Sequence, residues 1–287
     1  MSLSAAYYRS ILFVPATRPE RVPKAAATGA DAVCVDLEDA VAPADKPAAR
    51  AAVWDQLAVL RSLQVPSILR INALTSAEGV RDMVALIESP SAPDALFLPK
   101  CDSAEEVRWI DSLLSDRHRA MTTLPIIETA SGLDNVAAIA GASSRVSAMA
   151  FGSADYSAEI GSDMGWDALA YARGRIAAAA GQNGVAAIDG VWLDYKDDDG
   201  LRGETTRVAT MGFTGKIAIH PQQVAVINQV FTPADDDIAR AQRIVEAAAA
   251  AGGGVTTLDG QMIDEPVVQS ARRIVAVAQH VAAAAAK

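Results

Sequence analysis

Two acidic residues, Glu128 and Asp155, each follow an apolar run of the kind that forms buried strands. The runs are 123–127 and 146–154, and a short helical stretch, 131–141, lies between them. In a parallel sheet such strands are usually neighbours, and their carboxyl ends lie at the same edge. Mg²⁺ takes one or two carboxylates and completes its octahedron with water and substrate. The pair therefore predicts a divalent-metal site.

Each carboxylate also has a structural interpretation. Glu128 could be a solvated acid in the loop after its strand. Asp155 could cap the helix that follows, because Asp is a preferred N-cap residue. The metal interpretation is favoured because both acids are expected at one strand edge.

The elements that position these acids form a regular series in which strand-like runs alternate with helical segments. Eight such units before residue 232 fit an α/β fold, a (β/α)₈ TIM barrel, whose typical length is ~250 residues. A doubly wound open sheet is the alternative, but residues 15–19, Pro-Ala-Thr-Arg-Pro, lack its phosphate-binding glycines. The predicted strands are 10–16, 32–37, 66–72, 95–100, 122–128, 146–152, 186–192 and 215–220. The predicted helices are 19–29, 46–63, 76–88, 103–115, 131–141, 157–180, 200–211 and 221–230.

The pattern changes after residue 232. An Asp-rich entry leads into an alanine-rich helix, a Gly252–Gly254 run, a strand-like piece at 255–258 and a last helix. The prediction is a barrel at 1–232 with a C-terminal helical extension at 233–287. We interpret the extension as a lid or arm that packs on a neighbouring subunit.

Barrel enzymes place their reactive groups at the carboxyl ends of the strands and in the loops that follow. Arg70 is a candidate for recognising a carboxylate or carbonyl group, because its planar fork suits either. Lys100 is a candidate Schiff-base nucleophile, an interpretation that competes with the metal site. The other residues expected at this edge are Arg18, Asp36, Glu38, Asp39, Asn72, Glu128, Asp155, Asp189 and His220.

Composition narrows the class of protein. The net charge of −10 argues against a sequence-independent nucleic-acid binder. The two cysteines, Cys34 and Cys101, are expected to be ordinary thiols. No apolar run reaches the ~18–20 residues of a membrane span. We therefore expect a cytoplasmic protein with no nucleic-acid or membrane partner.

These residues together resemble the citrate lyase β-subunit-like proteins, relatives of malyl-CoA and citramalyl-CoA lyases. The resemblance extends over nearly the whole chain. One departure is Ala16, where relatives commonly have Gly. The strings that carry the resemblance are 12–21, 29–33, 36–41, 69–72, 98–100, 126–130, 151–156, 218–221 and 259–264.

The resemblance implies a Mg²⁺-dependent TIM barrel, with Mn²⁺ as a possible substitute. Such an enzyme cleaves or forms a C–C bond in a 3-hydroxyacyl-CoA such as citryl-, malyl- or citramalyl-CoA, and the products are acetyl-CoA and a 2-oxo acid. Carried over by position, Glu128 and Asp155 bind the metal and Arg70 contacts the substrate oxyanion. Asp264 is the acid/base that the tail lends to a neighbouring barrel, and Arg18 lies near the CoA or acyl portion. Glu38 and Asp39 are expected to bind substrate.

Three other activities remain open at this point. The same site could direct water at the thioester and act as a malyl-CoA-type thioesterase. The chain could be a citrate lyase β subunit that depends on an acyl-carrier partner. A class II aldolase is less favoured, because those enzymes use a His–Asp pair early in the barrel and no His precedes His118. Relatives also imply a homo-oligomer, a trimer or hexamer.

Overall fold

The structure is a computed structural model that describes residues 7–114, 118–252 and 254–285. The chain divides into two compact units, one of which is Ala6–Gln229 while the other begins at Val230. The first unit is a closed barrel and the second is a small helical unit with a hairpin.

The barrel consists of eight strands that pair in parallel, each with the next in the chain, and β8 pairs with β1 to close the ring. The predicted (β/α)₈ TIM barrel is confirmed. Each predicted strand corresponds to an observed one, although several predictions extend beyond the observed carboxyl end. The strands are β1 Ser10–Pro15, β2 Ala32–Asp36, β3 Ser67–Arg70, β4 Ala95–Leu98, β5 Thr122–Ile127, β6 Ala148–Phe151, β7 Ala186–Asp189 and β8 Gly215–Ala218.

Helices follow every strand of the barrel. Four of them begin at a side-chain cap, where the cap residue accepts a hydrogen bond from the N–H three residues later. The cap residues are Ser76, Ser103, Thr129 and Asp197. The helices are α1 Val22–Ala26, α2 Lys46–Ser62, α3 Ala77–Glu88, α4 Ala104–Leu113, α5 Ala130–Asp134, α6 Val136–Ala140, α7 Ser153–Ile160, α8 Trp166–Asn183, α9 Asp198–Thr210 and α10 Pro221–Phe231.

The helix predicted at 157–180 is wrong in its bounds. Two helices occupy this region, because Gly161 adopts a left-handed conformation with φ of 70° and ends α7. The first of them also begins earlier than predicted, at Ser153. Asp155 therefore lies in the first turn of a helix and not in a loop after a strand.

The barrel interior is packed with side chains from alternate strand positions. On β3, Ile68 belongs to this core, and the same face continues to Arg70 two residues later. On β5, Ile126 belongs to the core and Glu128 follows on the same face. The strand period therefore places an arginine and a carboxylate above the apolar core, at the carboxyl end of the barrel.

The C-terminal unit contains α11 Asp235–Ala250, β9 Thr256–Leu258, β10 Gln261–Ile263 and α12 Glu265–Ala285. The two strands form an antiparallel hairpin whose turn residues, Asp259 and Gly260, both have positive φ, as in Asp-Gly turns generally. The sequence interpretation found β9 and missed β10. Apolar residues of α11, α12 and β10 form the core of this unit. Across the described part of the chain, no helix has the length and apolar character that a membrane span requires.

Candidate active site

Glu128 lies directly after β5 and is 2% exposed. Its Oε1 accepts a hydrogen bond of 2.7 Å from the backbone N–H of Lys100. Gly152 directly follows the neighbouring strand, β6, and a Cβ on it would lie 2.2 Å from Glu128 Oε2. The glycine therefore makes the space that the carboxylate occupies. Burial is the main cause that raises the pKa of Glu128 to about 8, and the negative charge of Glu38 is the second.

Asp155 lies in the first turn of α7, where a negative charge interacts favourably with the helix dipole. The interpretation of Asp155 as the N-cap is wrong, since the N-cap residue is Gly152 and no side chain caps this helix. The carboxylate is 42% exposed, and its Oδ1 lies 3.6 Å from Lys100 Nζ. Asp155 thus has a cation beside it and an open side toward solvent.

Arg70 is held in a fixed orientation at the end of β3. Its Nε and Nη2 each donate a 2.6 Å hydrogen bond to Asp36, in a bidentate pair. Its Nη1 lies 2.9 Å from Glu38 Oε2, and its guanidinium lies over the Phe13 ring at 5.0 Å. The sequence interpretation gave Asp36 no role, although the strand register pairs Asp36 with Arg70.

Lys100 contacts acids from several elements. It follows β4 with φ of 50°, an uncommon conformation for a residue with a side chain. Its Nζ donates a 2.6 Å hydrogen bond to Glu38 and lies 3.9 Å from Asp39. Burial opposes its charged form, but the hydrogen bond and charge of Glu38 outweigh burial and raise the pKa of Lys100. A lysine that stays protonated is not a nucleophile, so the Schiff-base interpretation is not favoured.

The loop that carries Glu38 is fixed by residues that the sequence interpretation did not assign. Lys46 Nζ donates 2.9 Å hydrogen bonds to the carbonyls of Leu37 and Glu38 and a 2.5 Å bond to Asn72 Oδ1. Asn72 in turn donates to the Leu37 carbonyl and to buried Asp82. Because Lys46 follows a nine-residue segment after β2, no local pattern relates it to the site.

A pocket of about 110 Å³ opens above the barrel core. Arg70, Glu128 and Asp155 all line it, so the structure brings these three predicted site residues together. Ser153 also lines it, and its buried Oγ has no hydrogen-bond partner among the described residues. The remaining lining residues are Phe13, Ile126, Phe151, Gly152, Ala154, Val191, Ile217 and Ile219.

The donor set fits Mg²⁺. Residues 7–114, 118–252 and 254–285 contain no group of three or more His, Cys, Asp or Glu side chains that could hold a metal by themselves. Mg²⁺ does not require one, since it is commonly bound through one or two carboxylates together with water and substrate. Glu128 and Asp155 supply two carboxylates on one pocket, and Gly152 leaves room for the first.

Three further candidates are described by the elements that carry them. Arg18 is exposed in the turn after β1, and none of the ion pairs described above involves its guanidinium. His220 stacks on Tyr195 with a ring separation of 4.4 Å, and its Nδ1 accepts the Gln222 N–H. Asp264 belongs to the C-terminal unit, between β10 and α12.

The expectation that Asp189 lies in the site is wrong. Its neighbour Ile188 faces the barrel core, so Asp189 points outward between the strands and the helices. There it is fully buried and pairs with Arg173 and Lys216. Burial alone would raise the pKa of Asp189, but Lys216 and Arg173 together lower it. The two cysteines are both buried thiols, as predicted.

Comparison with known proteins assigns the family. The profile described as HpcH/HpaI aldolase/citrate lyase matches residues 9–221. The chain belongs to this aldolase/citrate lyase family. A second profile, described as a C–C bond lyase of the TIM-barrel fold, matches residues 166–282. The predicted membership of the citrate lyase β-subunit-like group, a group of carbon–carbon lyases, is confirmed.

Family members with named activities match over nearly the whole chain. The L-malyl-CoA/β-methylmalyl-CoA lyase of Cereibacter sphaeroides is 37% identical over 96% of this chain and 96% of its own. The citrate lyase subunit β of Leuconostoc mesenteroides subsp. cremoris is 34% identical over 94% of this chain and 93% of its own. The crystal structure of Mycobacterium tuberculosis CitE with magnesium, acetoacetate and coenzyme A has a TM-score of 0.77. It is 34% identical and covers 96% of this chain and 100% of that one.

Proposed function

We propose that this family member is a Mg²⁺-dependent acyl-CoA lyase, with Mn²⁺ as a possible substitute. It would cleave or form a C–C bond in a 3-hydroxyacyl-CoA such as citryl-, malyl- or citramalyl-CoA, with acetyl-CoA and a 2-oxo acid on the other side of the reaction. The observation that carries the proposal is the convergence of Arg70, Glu128 and Asp155 on one pocket. The activities named for the relatives support the same reaction.

Glu128 and Asp155 are the residues that would hold the metal. When bound there, Mg²⁺ supplies a Lewis acid and a template for the hydroxyl oxygen and a neighbouring carboxylate of the substrate. Glu38 and Asp39, which both interact with Lys100 Nζ, would contribute to substrate binding. Arg18, exposed after β1, would act at the CoA or acyl portion.

Arg70 would stabilise the negative charge that develops on the thioester oxygen. Its orientation is fixed before substrate arrives, because Asp36 holds two of its nitrogen atoms and Phe13 lies against its plane. Donors that need no reorganisation during the reaction are often the largest contribution to catalysis. Asp36 therefore contributes to catalysis by positioning Arg70.

Asp264 would protonate the enolate carbon in the cleavage direction and remove that proton in the condensation direction. We propose that the extension at 233–287 supplies this group to the barrel of a neighbouring subunit. Replacing Asp264 with Asn should abolish C–C cleavage and leave Mg²⁺ binding intact. Asp259→Asn, in the turn of the hairpin that precedes Asp264, is the matched control and should keep its activity. Unchanged turnover in Asp264→Asn would contradict this role.

A shared site requires a homo-oligomer, and the resemblance to relatives favours a trimer or hexamer. We also propose that the enzyme acts on cytoplasmic acyl-CoA. Specific activity should fall on dilution as subunits separate. Mass measurement by light scattering at the same concentrations would relate the loss to dissociation. Full activity in a monomeric sample would rule out a site that needs two subunits.

The first experiment incubates the purified chain with Mg²⁺ and citryl-, malyl- or citramalyl-CoA, and identifies products by mass spectrometry. Acetyl-CoA and a 2-oxo acid, both lost on chelation, are the expected products. Free CoA and the intact hydroxy acid would instead identify a thioesterase. Turnover only when the acyl group is carried on an acyl-carrier protein would identify a carrier-dependent β subunit.

A further inference from the structure

Lys100 lies between acids that come from different elements of the barrel. Its Nζ is 2.6 Å from Glu38 Oε1, on the loop after β2, and 3.6 Å from Asp155 Oδ1, at the start of α7. Its backbone N–H donates to Glu128 Oε1 at 2.7 Å. One residue therefore contacts both proposed metal ligands through two different atoms.

The backbone of Lys100 is shaped for these contacts. A φ of 50° is unfavourable for a residue with a Cβ, and it persists only where surrounding interactions enforce it. Here the N–H is bonded to Glu128 while the side chain reaches Glu38. Arg70 cannot take over the role of the lysine ammonium, because Asp36 already binds two of its nitrogen atoms.

The acids of the site outnumber its cations. Five acidic side chains contact Arg70 or Lys100, four of them through ion pairs and Glu128 through the Lys100 backbone N–H. The other four are Asp36, Glu38, Asp39 and Asp155. An excess of acid attracts a dication from solution. A dication that approaches Asp155, however, meets an ammonium that already interacts with the same carboxylate.

The contacts of the lysine are unequal in strength. The distance to Glu38 is that of a charge-assisted hydrogen bond, whereas 3.6 Å to Asp155 is longer than any hydrogen bond of this type. The Asp155 carboxylate is also the more exposed of the two. A metal ion can therefore replace the ammonium at Asp155 while the bond to Glu38 stays in place.

We propose that Lys100 is a resident counter-cation of the metal site. Its ammonium neutralises Asp155 in the metal-free protein and is displaced from that carboxylate when Mg²⁺ binds. This inference deepens the proposed function and rests on its metal site. It has two consequences: the lysine stabilises the metal-free protein, and it lowers the affinity for the metal.

The test uses the full chain without substrate. Mn²⁺ binding is measured by the loss of the free-ion signal in electron paramagnetic resonance, and Mg²⁺ binding by competition. Lys100→Met should bind both ions about threefold to tenfold more tightly, since a repelling charge at a partly exposed site is removed. Lys100→Gln, which keeps a donor for Glu38, should show the same direction. Lys24→Met, which removes an exposed charge on α1, should bind as the unchanged chain does.

Melting temperatures provide the second readout. With a chelator present to remove metal ions, Lys100→Met should melt at a lower temperature than the unchanged chain. Saturating Mg²⁺ should raise the melting temperature of Lys100→Met by more than it raises that of the unchanged chain. Unchanged or weaker metal binding in both Lys100 variants, with near-ultraviolet circular dichroism preserved, would overturn the counter-cation role and leave the lyase proposal standing. Failure of the unchanged chain to bind Mn²⁺ would overturn the proposed metal site as well.

Discussion

Two clusters of charged side chains lie at the barrel, and they differ in charge balance and in access to solvent. The first is the site cluster, composed of Asp36, Glu38, Asp39, Arg70, Lys100, Glu128 and Asp155, at the carboxyl ends of the strands. The second, which we name the buried cluster, lies between the strands and the helices. It consists of Arg173 on α8, Asp189 on β7, Glu204 on α9 and Lys216 on β8.

In the buried cluster every charge has an opposite partner. Arg173 Nε lies 2.9 Å from Asp189 and its Nη2 lies 3.0 Å from Glu204. Lys216 pairs with Asp189 and lies 2.8 Å from Glu204. Two acids and two bases cancel, and the most exposed side chain among them is only 9% exposed. Such a cluster has no net charge that would attract an ionic ligand.

The site cluster is different in both respects. Its acids exceed its bases, and the side chain of Asp155 is 42% exposed beside a pocket. Burial and ion pairing alone therefore do not identify a functional site, because both clusters contain largely buried ion pairs. The distinguishing features are uncompensated charge and an open face, because together they leave a place for a cation and an anionic substrate.

The largest expected effect comes from removing one acid of the site cluster. Glu128→Gln keeps the size of the side chain and an oxygen for the Lys100 N–H, but it loses the charge. We expect lyase turnover to fall by at least about 10⁴-fold, because the proposed metal contributes several kcal/mol of charge stabilisation. Steady-state kinetics measures the loss of turnover, and Mn²⁺ titration measures the accompanying loss of metal affinity.

The stability of the Glu128→Gln protein should not fall, since the buried carboxylate no longer has to be desolvated. Glu105→Gln, on the exposed face of α4, is the control and should change neither quantity. Normal Mn²⁺ affinity in Glu128→Gln would remove the main support for the metal site.

The corresponding change in the buried cluster should affect stability and not chemistry. Asp189→Asn leaves Arg173 and Lys216 to share a single counter-charge, that of Glu204, in a region that water does not reach. Breaking a buried ion pair from one side costs about 3–5 kcal/mol. Urea unfolding should show a loss of this size, while Mn²⁺ affinity of the folded variant stays the same.

Removing both partners is the informative control for Asp189→Asn. The double change Asp189→Leu with Lys216→Met leaves the Arg173–Glu204 pair and should recover most of the lost stability. A loss of metal affinity in Asp189→Asn, with stability unchanged, would mean that the buried cluster belongs to the site and that the comparison is wrong.

A smaller effect is expected for Arg70→Lys. Lysine keeps the charge but cannot bind Asp36 in a bidentate pair and reach Glu38 at the same time. Turnover should fall about 10²-fold, the lower end of the range for losing one preorganised donor. Mn²⁺ affinity should stay within a factor of two to three of the original. Arg108→Lys is the control, because Arg108 belongs to an exposed ion pair with Glu105 on α4. A fully active Arg70→Lys protein would contradict the oxyanion role.

The sequence predicted the barrel because buried parallel strands consist of nearly continuous apolar runs, and eight of them recur at even spacing. It also predicted which acids lie at the carboxyl ends. It did not separate inward from outward positions at the last residue of a strand. Ile188 and Asp189 are adjacent on β7, so their side chains point to opposite faces of the strand. Asp189 can be assigned to the buried cluster only once Ile188 is known to face the barrel core.

Other features were beyond any local pattern. The left-handed conformation of Lys100 gives no signal in the sequence, because Lys has no preference for it and the contacts that enforce it come from Glu38 and Glu128. The early start of α7 was missed because Ser153 and Ala154 extend an apolar run that resembles a strand. The first of these features depends on contacts between distant segments, and the second on where a strand-like run ends.

The smallest effect tests whether the two clusters are independent. They share no ion pair, so the stability gained from Mg²⁺ should be the same in Asp189→Asn as in the unchanged chain, within about 0.5 kcal/mol. Thermal unfolding of both proteins, with chelator and with saturating Mg²⁺, measures this difference. Phe151 could connect the clusters, because it lines the pocket and its ring centre lies 5.9 Å from the Arg173 guanidinium. A larger coupling that disappears in Phe151→Leu would show that this ring transmits the state of the buried cluster to the metal site.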